Sequence, residues 1–187
     1  MDYKRTFIGI PLPEHIRETL ENIHKKLEPL SRGVAWVRPE LMHITLKFLG
    51  ETPERMMENV REVFLNSTRN FRSLKLKLKD TGCFPREGEP RVLWAGLLQI
   101  PGELYRLSDE LNTVYVSMGF DDSGKRFSPH ITLARIKQKP DPQLLSDFLE
   151  RPLPAEEFWV DRIIWYESCH RNGKLQYLPL EECKLDK

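Results

Sequence analysis

Two histidines in this chain are each followed, two residues later, by a threonine within an identical tetrapeptide. His-Ile-Thr-Leu occurs at residues 43–46 and again, unchanged, at residues 130–133. Residues i and i+2 of a β-strand point to the same face, so His43 shares a face with Thr45, and His130 shares one with Thr132. An imidazole with an ordinary pKa of ~6.5 can accept or release a proton near neutrality. Two such pairs suit hydrolysis of a phosphodiester: one imidazole activates water, the other protonates the leaving oxygen, and the hydroxyls hydrogen-bond the remaining oxygens.

Repetition of the polar positions distinguishes these strands from ordinary surface strands. A lone His-x-Thr is usually a half-exposed pair without a catalytic role. A strand duplicated for structural reasons needs to keep only its inner face, which alternation assigns to Ile44, Leu46 and Phe48 in the first copy. Here the outward histidine and threonine are repeated as well, which favours catalysis.

The two tetrapeptides belong to a longer internal repeat. An offset of 87 residues superposes them and aligns further residues along most of the unit, including Gly9 with Gly96, Leu20 with Leu107, Pro53 with Pro140, Phe71 with Phe158 and Phe7 with Trp94. The chain is therefore interpreted as two copies of one unit, at residues 3–81 and 90–168. Residues 82–90, with two prolines and two glycines, form the expected connector.

Hydrophobic periodicity predicts the same order of elements in both copies. Each copy fits strand–helix–strand–helix–strand, which is typical of an α+β or an α/β protein with two lobes. The expected strands are residues 5–10, 43–49, 71–78, 91–98, 127–136 and 158–166, with a terminal strand at 174–181; the expected helices begin at Pro13, at Thr52 and Pro53, near Leu104 and after Pro140. Because such lobes are small, we expect residues 1–187 to form a single bilobal domain.

Overall charge argues against a protein that coats nucleic acid. Lys and Arg total 29 and Asp and Glu total 28, so any RNA contact should be local, at an end or a single phosphate. The three cysteines form no CxxC pair, which argues against a zinc site or a disulfide framework and fits a reducing compartment. No apolar run approaches the ~20 residues of a membrane helix. We expect a cytoplasmic monomer with no membrane contact and no obligate protein partner.

Four segments of the chain resemble one known family. They are Trp-Val-Arg-Pro at 36–39, His-Ile-Thr-Leu-Lys-Phe-Leu-Gly-Glu at 43–51, Val-Leu-Trp-Ala-Gly at 92–96 and Arg-Phe-Ser-Pro-His-Ile-Thr-Leu-Ala-Arg at 126–135. These segments resemble the RNA 2′,3′-cyclic phosphodiesterases, first described as 2′-5′ RNA ligases, of the two-histidine phosphoesterase superfamily. The resemblance covers essentially the whole chain. It implies an α+β bilobal fold in which two pseudo-two-fold related units place antiparallel-rich sheets around a central cleft.

The resemblance also implies a reaction. A terminal 2′,3′-cyclic phosphate is hydrolysed to a 2′-phosphate without a metal or a nucleotide cofactor, and the reverse direction joins RNA ends through a 2′-5′ linkage without ATP. The implied partners are RNA 3′ ends that carry a cyclic phosphate, tRNA fragments among them. The resemblance makes His43 the proton donor, His130 the proton acceptor, Thr45, Thr132 and Arg135 phosphate contacts, and Phe7 a contact of the terminal nucleoside.

Some assignments have a competing interpretation. Strict alternation places Arg135 on the face opposite Thr132, so a bulge or a strand end must redirect it. Phe7 can equally be a core residue. Lys47 and Arg126 could add positive potential at the site, but the favoured interpretation is that both are ordinary solvated charges.

Two other functions remain open at this point. A non-catalytic module that binds RNA ends would keep the cleft, although binding alone needs neither an acid nor a base. A two-histidine enzyme acting on a small cyclic nucleotide, such as an ADP-ribose cyclic phosphate, would present the same residues to the same cyclic phosphate.

Overall fold

The computed structural model describes residues 2–122, 124 and 126–186, which form nine strands and four α-helices. The strands are β1 (Tyr3–Pro11), β2 (Val34–Trp36), β3 (His43–Pro53), β4 (Leu74–Phe84), β5 (Val92–Leu98), β6 (Ile131–Ile136), β7 (Glu157–Val160), β8 (Arg162–Arg171) and β9 (Lys174–Lys184). The helices are α1 (Glu14–Leu27), α2 (Met57–Thr68), α3 (Gly102–Ser117) and α4 (Pro142–Leu149).

All nine strands belong to one sheet, and every pairing between these strands is antiparallel. The strand order is β7-β4-β5-β6-β3-β1-β8-β9, and β2 pairs with β6. Counted outward from the middle, β3 corresponds to β6, β1 to β5, and β8 to β4 under the offset of 87 residues. A pseudo-two-fold axis therefore passes between β3 and β6, and the predicted α+β class is confirmed.

The two halves of the sheet meet at a single residue pair. Ile44 of β3 lies opposite Ile131 of β6, and this is the one bridge between these strands in the described part of the chain. The two isoleucines are equivalent under the offset, and both are fully buried. The seam of the sheet thus lies on the pseudo-two-fold axis, beside both histidine motifs.

The repeats exchange elements across this axis. β4 closes the first repeat but pairs with β5 of the second, and β8 of the second repeat pairs with β1 of the first. The helices do the same, because α1 contacts α4 and α2 contacts α3. Each half of the fold therefore contains elements of both repeats.

Helix α1 shows how the sequence covers the sheet. Ile16, Leu20, Ile23 and Leu27 recur at helical spacing, and all four are buried in the core. The helix begins after Pro13, as predicted.

Some predicted element bounds were wrong. Thr52 does not begin a helix: it lies near the end of β3, where its Oγ1 is 2.7 Å from Thr6 Oγ1, and α2 begins at Met57 after a 3₁₀ turn. The strand expected from residue 127 begins only at Ile131.

Other strand bounds also differ from the predictions. β4 runs from 74 to 84 rather than 71 to 78, so it continues into the predicted connector. The strand expected at 158–166 is divided into β7 and β8, and the terminal strand extends to Lys184. No helix among the described residues is long and apolar enough to span a membrane.

Candidate active site

Strand β6 carries a β-bulge immediately after Thr132. Trp94 of β5 lies opposite Thr132, and the preceding residue of β5 lies opposite Ala134, so Leu133 is the extra residue. The alternation of β6 is shifted by one position beyond the bulge, and Arg135 therefore lies on the same face as Thr132. This is the redirection that the assignment of Arg135 required.

Strand β3 carries the same bulge after Thr45. Gly9 of β1 lies opposite Thr45, and the preceding residue of β1 lies opposite Lys47, so Leu46 is the extra residue. Phe48 therefore shares the face of Thr45, where it is 61% exposed, and the prediction that it faces the core was wrong. Lys47 points to the other side and is only 6% exposed, so its interpretation as a solvated charge was wrong too.

The central bridge sets the relative position of the two histidine motifs. In its antiparallel register, the position opposite His43 is that of Thr132, and the position opposite Thr45 is that of His130. Directly opposed antiparallel residues have Cβ atoms about 5 Å apart, and diagonal ones are about 7–8 Å apart. The structure thus brings the four side chains together on one face, with the two imidazoles on a diagonal.

Both imidazoles are oriented by the same hydrogen bond. Nδ1 of His43 lies 2.7 Å from the carbonyl oxygen of Leu41, and Nδ1 of His130 lies 2.7 Å from that of Ser128. A carbonyl oxygen only accepts, so Nδ1 carries a proton in each ring and Nε2 is left for chemistry. Thr45 Oγ1 lies 3.0 Å from Nε2 of His43.

The environment disfavours the charged form of both histidines. Burial lowers the pKa of His43 to about 4, helped by the charges of His130 and Arg135 and opposed by the hydrogen bond to Leu41. Burial and the charge of Arg135 also lower the pKa of His130, against its bond to Ser128. Arg135 therefore lies close enough to act on both rings, and both are neutral near pH 7 in the unliganded protein.

Aromatic side chains enclose His43. The ring of Phe7 lies 4.7 Å from the imidazole, and that of Tyr177 meets it edge-on at 5.2 Å between centroids. Tyr166 stacks on Phe7 at 5.1 Å. Phe7 is only 3% exposed, so it is a buried residue that also contacts the histidine.

A second aromatic group borders His130. Phe84 meets this imidazole edge-on at 5.1 Å, and Trp94 lies 6.5 Å away. Trp94 lies opposite Gly82 on β4, where a Cβ atom would lie 2.2 Å from the indole ring. Gly82 therefore makes room for Trp94 beside the site.

Sequence reasoning missed four of these aromatic residues. Trp94 had a detectable signal, because the offset of 87 residues aligns it with Phe7. No feature of the sequence indicated Phe84, Tyr166 or Tyr177, because the pairing of β4, β8 and β9 brings these residues to the site.

In the part of the chain that the structure describes, no group of three or more His, Cys, Asp or Glu side chains is arranged to hold a metal ion.

Comparison with known proteins identifies the family. The model of the LigT-like phosphoesterases matches residues 10–94. An RNA 2′,3′-cyclic phosphodiesterase of Thermotoga maritima is 35% identical over 184 residues, which cover 97% of this chain and 96% of that protein. The chain belongs to the LigT-like phosphoesterases. The family resemblance inferred from the histidine motifs is thereby confirmed.

Two solved structures share the fold. Escherichia coli LigT complexed with 3′-AMP superposes with a TM-score of 0.83 at 27% identity, covering 100% of both chains. A protein of Thermus thermophilus superposes with a TM-score of 0.82 at 31% identity, covering 97% of both chains. The mixed fold with its antiparallel sheet is common to these proteins.

Proposed function

We propose that this LigT-like phosphoesterase hydrolyses the 2′,3′-cyclic phosphate at an RNA 3′ end to a 2′-phosphate. The observation that carries the proposal is the pair of imidazoles on one face, each with Nδ1 bonded to a carbonyl oxygen and Nε2 left for chemistry. Binding alone would need no such matched pair. The curated name of the Thermotoga maritima relative supports RNA, rather than a small cyclic nucleotide, as the substrate class.

The reaction requires one base and one acid at a single phosphate. Nε2 of His130 takes a proton from water as the water oxygen bonds to phosphorus. The bond between phosphorus and the 3′ oxygen breaks, and His43 gives its Nε2 proton to that oxygen. The division of roles follows the family resemblance. His43 is neutral in the unliganded protein, so the anionic phosphate supplies the charge that favours its protonation on binding.

The phosphate oxygens need donors in the transition state. Thr45 and Thr132 carry hydroxyls on the shared face, and Arg135 adds a fixed positive charge to the same face. Preorganised donors of this kind stabilise charge that develops on the non-bridging oxygens. These groups can carry out both proton transfers and stabilise the charge on the non-bridging oxygens, so the proposed mechanism uses no metal ion.

The same residues support 2′-5′ joining, in which a different nucleophile opens the cyclic phosphate. A 5′-hydroxyl in place of water, deprotonated by His130, would form a 2′-5′ phosphodiester as the bond to the 3′ oxygen breaks. The cyclic phosphate supplies the leaving group, so ATP is not consumed.

The test is to incubate the protein with an oligonucleotide that ends in a 2′,3′-cyclic phosphate, in metal-stripped buffer with excess EDTA. We expect a 2′-phosphate product, and we expect His43→Ala and His130→Ala to lower kcat/KM at least ~10²-fold each. A 3′-phosphate product, or activity that returns only when zinc or magnesium is added, would contradict the proposal.

A modified substrate separates the two histidines. Sulfur in place of the 3′ oxygen makes a leaving group that needs little protonation, so it should rescue His43→Ala but not His130→Ala. Rescue of His130→Ala instead would reverse the assignment of acid and base.

A further inference from the structure

The two halves of the sheet differ beside the histidine motifs. Strand β2 covers the edge of β6 beyond Thr132, pairing Ala35 with Arg135 and Trp36 with Ala134. The offset of 87 residues maps β2 onto residues 121–123. Asp121 and Asp122 are not in a strand, Ser123 lies outside the described residues, and no described strand pairs with β3 beyond Ile44 on that side.

A cavity of about 740 Å³ occupies this uncovered position. All six consecutive residues from Thr45 to Gly50 line it, and so do Arg126, Phe127 and Ser128. Consecutive side chains of a strand point to different faces, so the backbone edge of β3 itself borders the cavity. No described strand pairs with this edge, and the carbonyl oxygen of Leu46 accepts from Ser108 Oγ at 3.0 Å. Backbone N–H and C=O groups without such a partner at a strand edge can bind a ligand.

The cavity lies on one particular side of the reacting phosphate. His130 and Thr45 line it, whereas His43 and its aromatic neighbours Phe7 and Tyr177 do not. In an in-line displacement, the nucleophile enters opposite the leaving oxygen. With His43 protonating the leaving 3′ oxygen and His130 activating the nucleophile, the cavity is on the nucleophile's side.

We infer that this cavity binds a second nucleoside, the one whose 5′-hydroxyl replaces water as the nucleophile in 2′-5′ joining. The inference rests on the proposed function and adds the site for the second substrate. The 5′ oxygen forms a bond to phosphorus, the bond to the 3′ oxygen breaks, His130 accepts the 5′-hydroxyl proton and His43 gives its proton to the 3′ oxygen. Cleavage of a 2′-5′ linkage is the reverse of this reaction.

The lining suits a nucleobase and its ribose. Phe48, Phe84 and Phe127 offer ring faces, and the edge of β3 offers both hydrogen-bond donors and acceptors. Asp109 of α3 and Arg126 add charged groups that can bond ribose hydroxyls and a phosphate. The volume lies within the roughly 300–1,000 Å³ of small-molecule sites.

Binding of inert ligands to the whole protein tests the inference without catalysis. The first ligand is 3′-deoxyadenosine linked 2′-5′ to adenosine, which lacks the 3′-hydroxyl needed for cleavage; the second is 3′-deoxyadenosine 2′-phosphate. Stacking of one base on aromatic side chains increases affinity by about 5- to 150-fold. We therefore expect the first ligand, which carries the second nucleoside, to bind at least about 10-fold more tightly than the second ligand.

Two neighbouring substitutions on α3 give the matched comparison. Asp109 lines the cavity and Glu110 does not, and both are exposed. Asp109→Trp should abolish the affinity gained from the second nucleoside, and Glu110→Trp should retain it. In active protein, Asp109→Trp should also lower the ratio of 2′-5′ cleavage to cyclic-phosphate hydrolysis at least about 10-fold.

Three results would overturn the inference. They are no affinity gain from the second nucleoside, a gain that survives Asp109→Trp, and an Asp109-sensitive gain from a 3′-5′ dinucleotide ending in a 2′-phosphate. The last would assign the cavity to the upstream RNA instead. Failure of the wild-type protein to hydrolyse a cyclic phosphate would refute the proposed function, and the binding results would still decide whether the cavity holds a nucleoside.

Discussion

Phe48 and Arg135 occupy equivalent positions in the two repeats, each three residues after a threonine of the shared motif and each turned onto the site face by a β-bulge. One is an exposed aromatic side chain and the other is a cation. The histidine and threonine of the two motifs are thus repeated identically, whereas the residues around them differ. The groups proposed to transfer protons are therefore matched in the two halves, whereas the groups proposed to contact the substrate are not.

Arg135 should matter to both catalysis and histidine titration. Arg135→Met removes a positive charge that opposes protonation, so the pKa of His43 and that of His130 should rise. It also removes a charged donor to the phosphate, which should lower kcat/KM at least ~10-fold, since hydrogen bonds to charged groups contribute about 1.5–3 kcal/mol. NMR titration of the imidazole Cε1–H signals and steady-state kinetics measure the two effects.

Lys137→Met is the matched control for this substitution. Lys137 is exposed, lies two residues from Arg135, and loses the same charge when changed to methionine. Lys137→Met should leave the pKa values of both histidines close to those of the wild type and kcat/KM within about twofold of the wild-type value. Equal effects of the two substitutions would mean that Arg135 acts only through overall charge.

The pH dependence of kcat should differ from that of kcat/KM. The pKa of His43 is about 4 and that of His130 is lowered from 6.5 in the unliganded protein, so the bell-shaped kcat/KM profile should lie below about pH 6.5. Bound phosphate is negative and favours the imidazolium, which raises both pKa values and shifts the kcat profile to higher pH. Both profiles can be measured with a nucleoside 2′,3′-cyclic phosphate; coincident profiles would be evidence against two histidines that are neutral in the unliganded protein.

Lys47 should contribute to stability as a buried cation. Its Nζ donates to Asn112 Oδ1 and to the carbonyl oxygen of Asp121, both at 2.7 Å, and so ties β3 to α3 and to the segment before His130. Lys47→Met keeps the alkyl chain but leaves both acceptors without the cation. We expect a loss of about 1.5–3 kcal/mol in the free energy of unfolding, measured by urea denaturation.

The comparison for Lys47 is an exposed lysine with a known partner. Lys25 pairs with Glu21 at 2.8 Å one helical turn away, at a side-chain exposure of 60%. Lys25→Met should cost only about 0.3–0.5 kcal/mol. A cost for Lys47→Met no larger than this would show that the network around Asn112 does not stabilise the fold.

Gly82 should be intolerant of even one methyl group. In Gly82→Ala the new Cβ would lie 2.2 Å from the ring of Trp94, so the indole has to move. Such overpacking costs about 1–3 kcal/mol, and the displaced ring should disturb Phe84 and His130, lowering kcat/KM. Gly102→Ala is the control, because a Cβ there meets nothing within 4 Å. Unchanged melting temperature and kcat/KM in Gly82→Ala would refute the close packing of Trp94.

The sequence correctly predicted the features that depend on residues close together in the chain or on the internal repeat. The offset between His43 and His130 predicted the internal repeat and the two motifs, and the helical spacing of Ile16 and Leu20 predicted a buried helix face. These signals arise from residues close together in the chain or from comparison of the chain with itself. They need no knowledge of which strand pairs with which.

The predictions failed where strand pairing decides the outcome. Strict alternation misplaced Phe48 and required a special explanation for Arg135, because Leu46 and Leu133 are inserted as bulges only relative to the partner strands. Tyr177 reaches the site because β9 pairs with β8, which no short segment of sequence reveals. The exchange of β4 and β8 between the repeats is likewise a property of the whole sheet.

That exchange of elements bears on how the site arose. A single repeat carries one of the two motif histidines and leaves uncovered the strand edges and helix faces that the other repeat covers. A protein with only one copy would therefore need to pair with a second copy of itself, exchanging its last strand, to bring two such histidines together. In such a homodimer the two imidazoles would be equivalent, and a phosphodiester would bind equally well in either orientation. In the single chain, Phe48 stands where its twin repeat has Arg135 and β2 lies on one side only, so the two orientations of a bound phosphodiester are no longer equivalent.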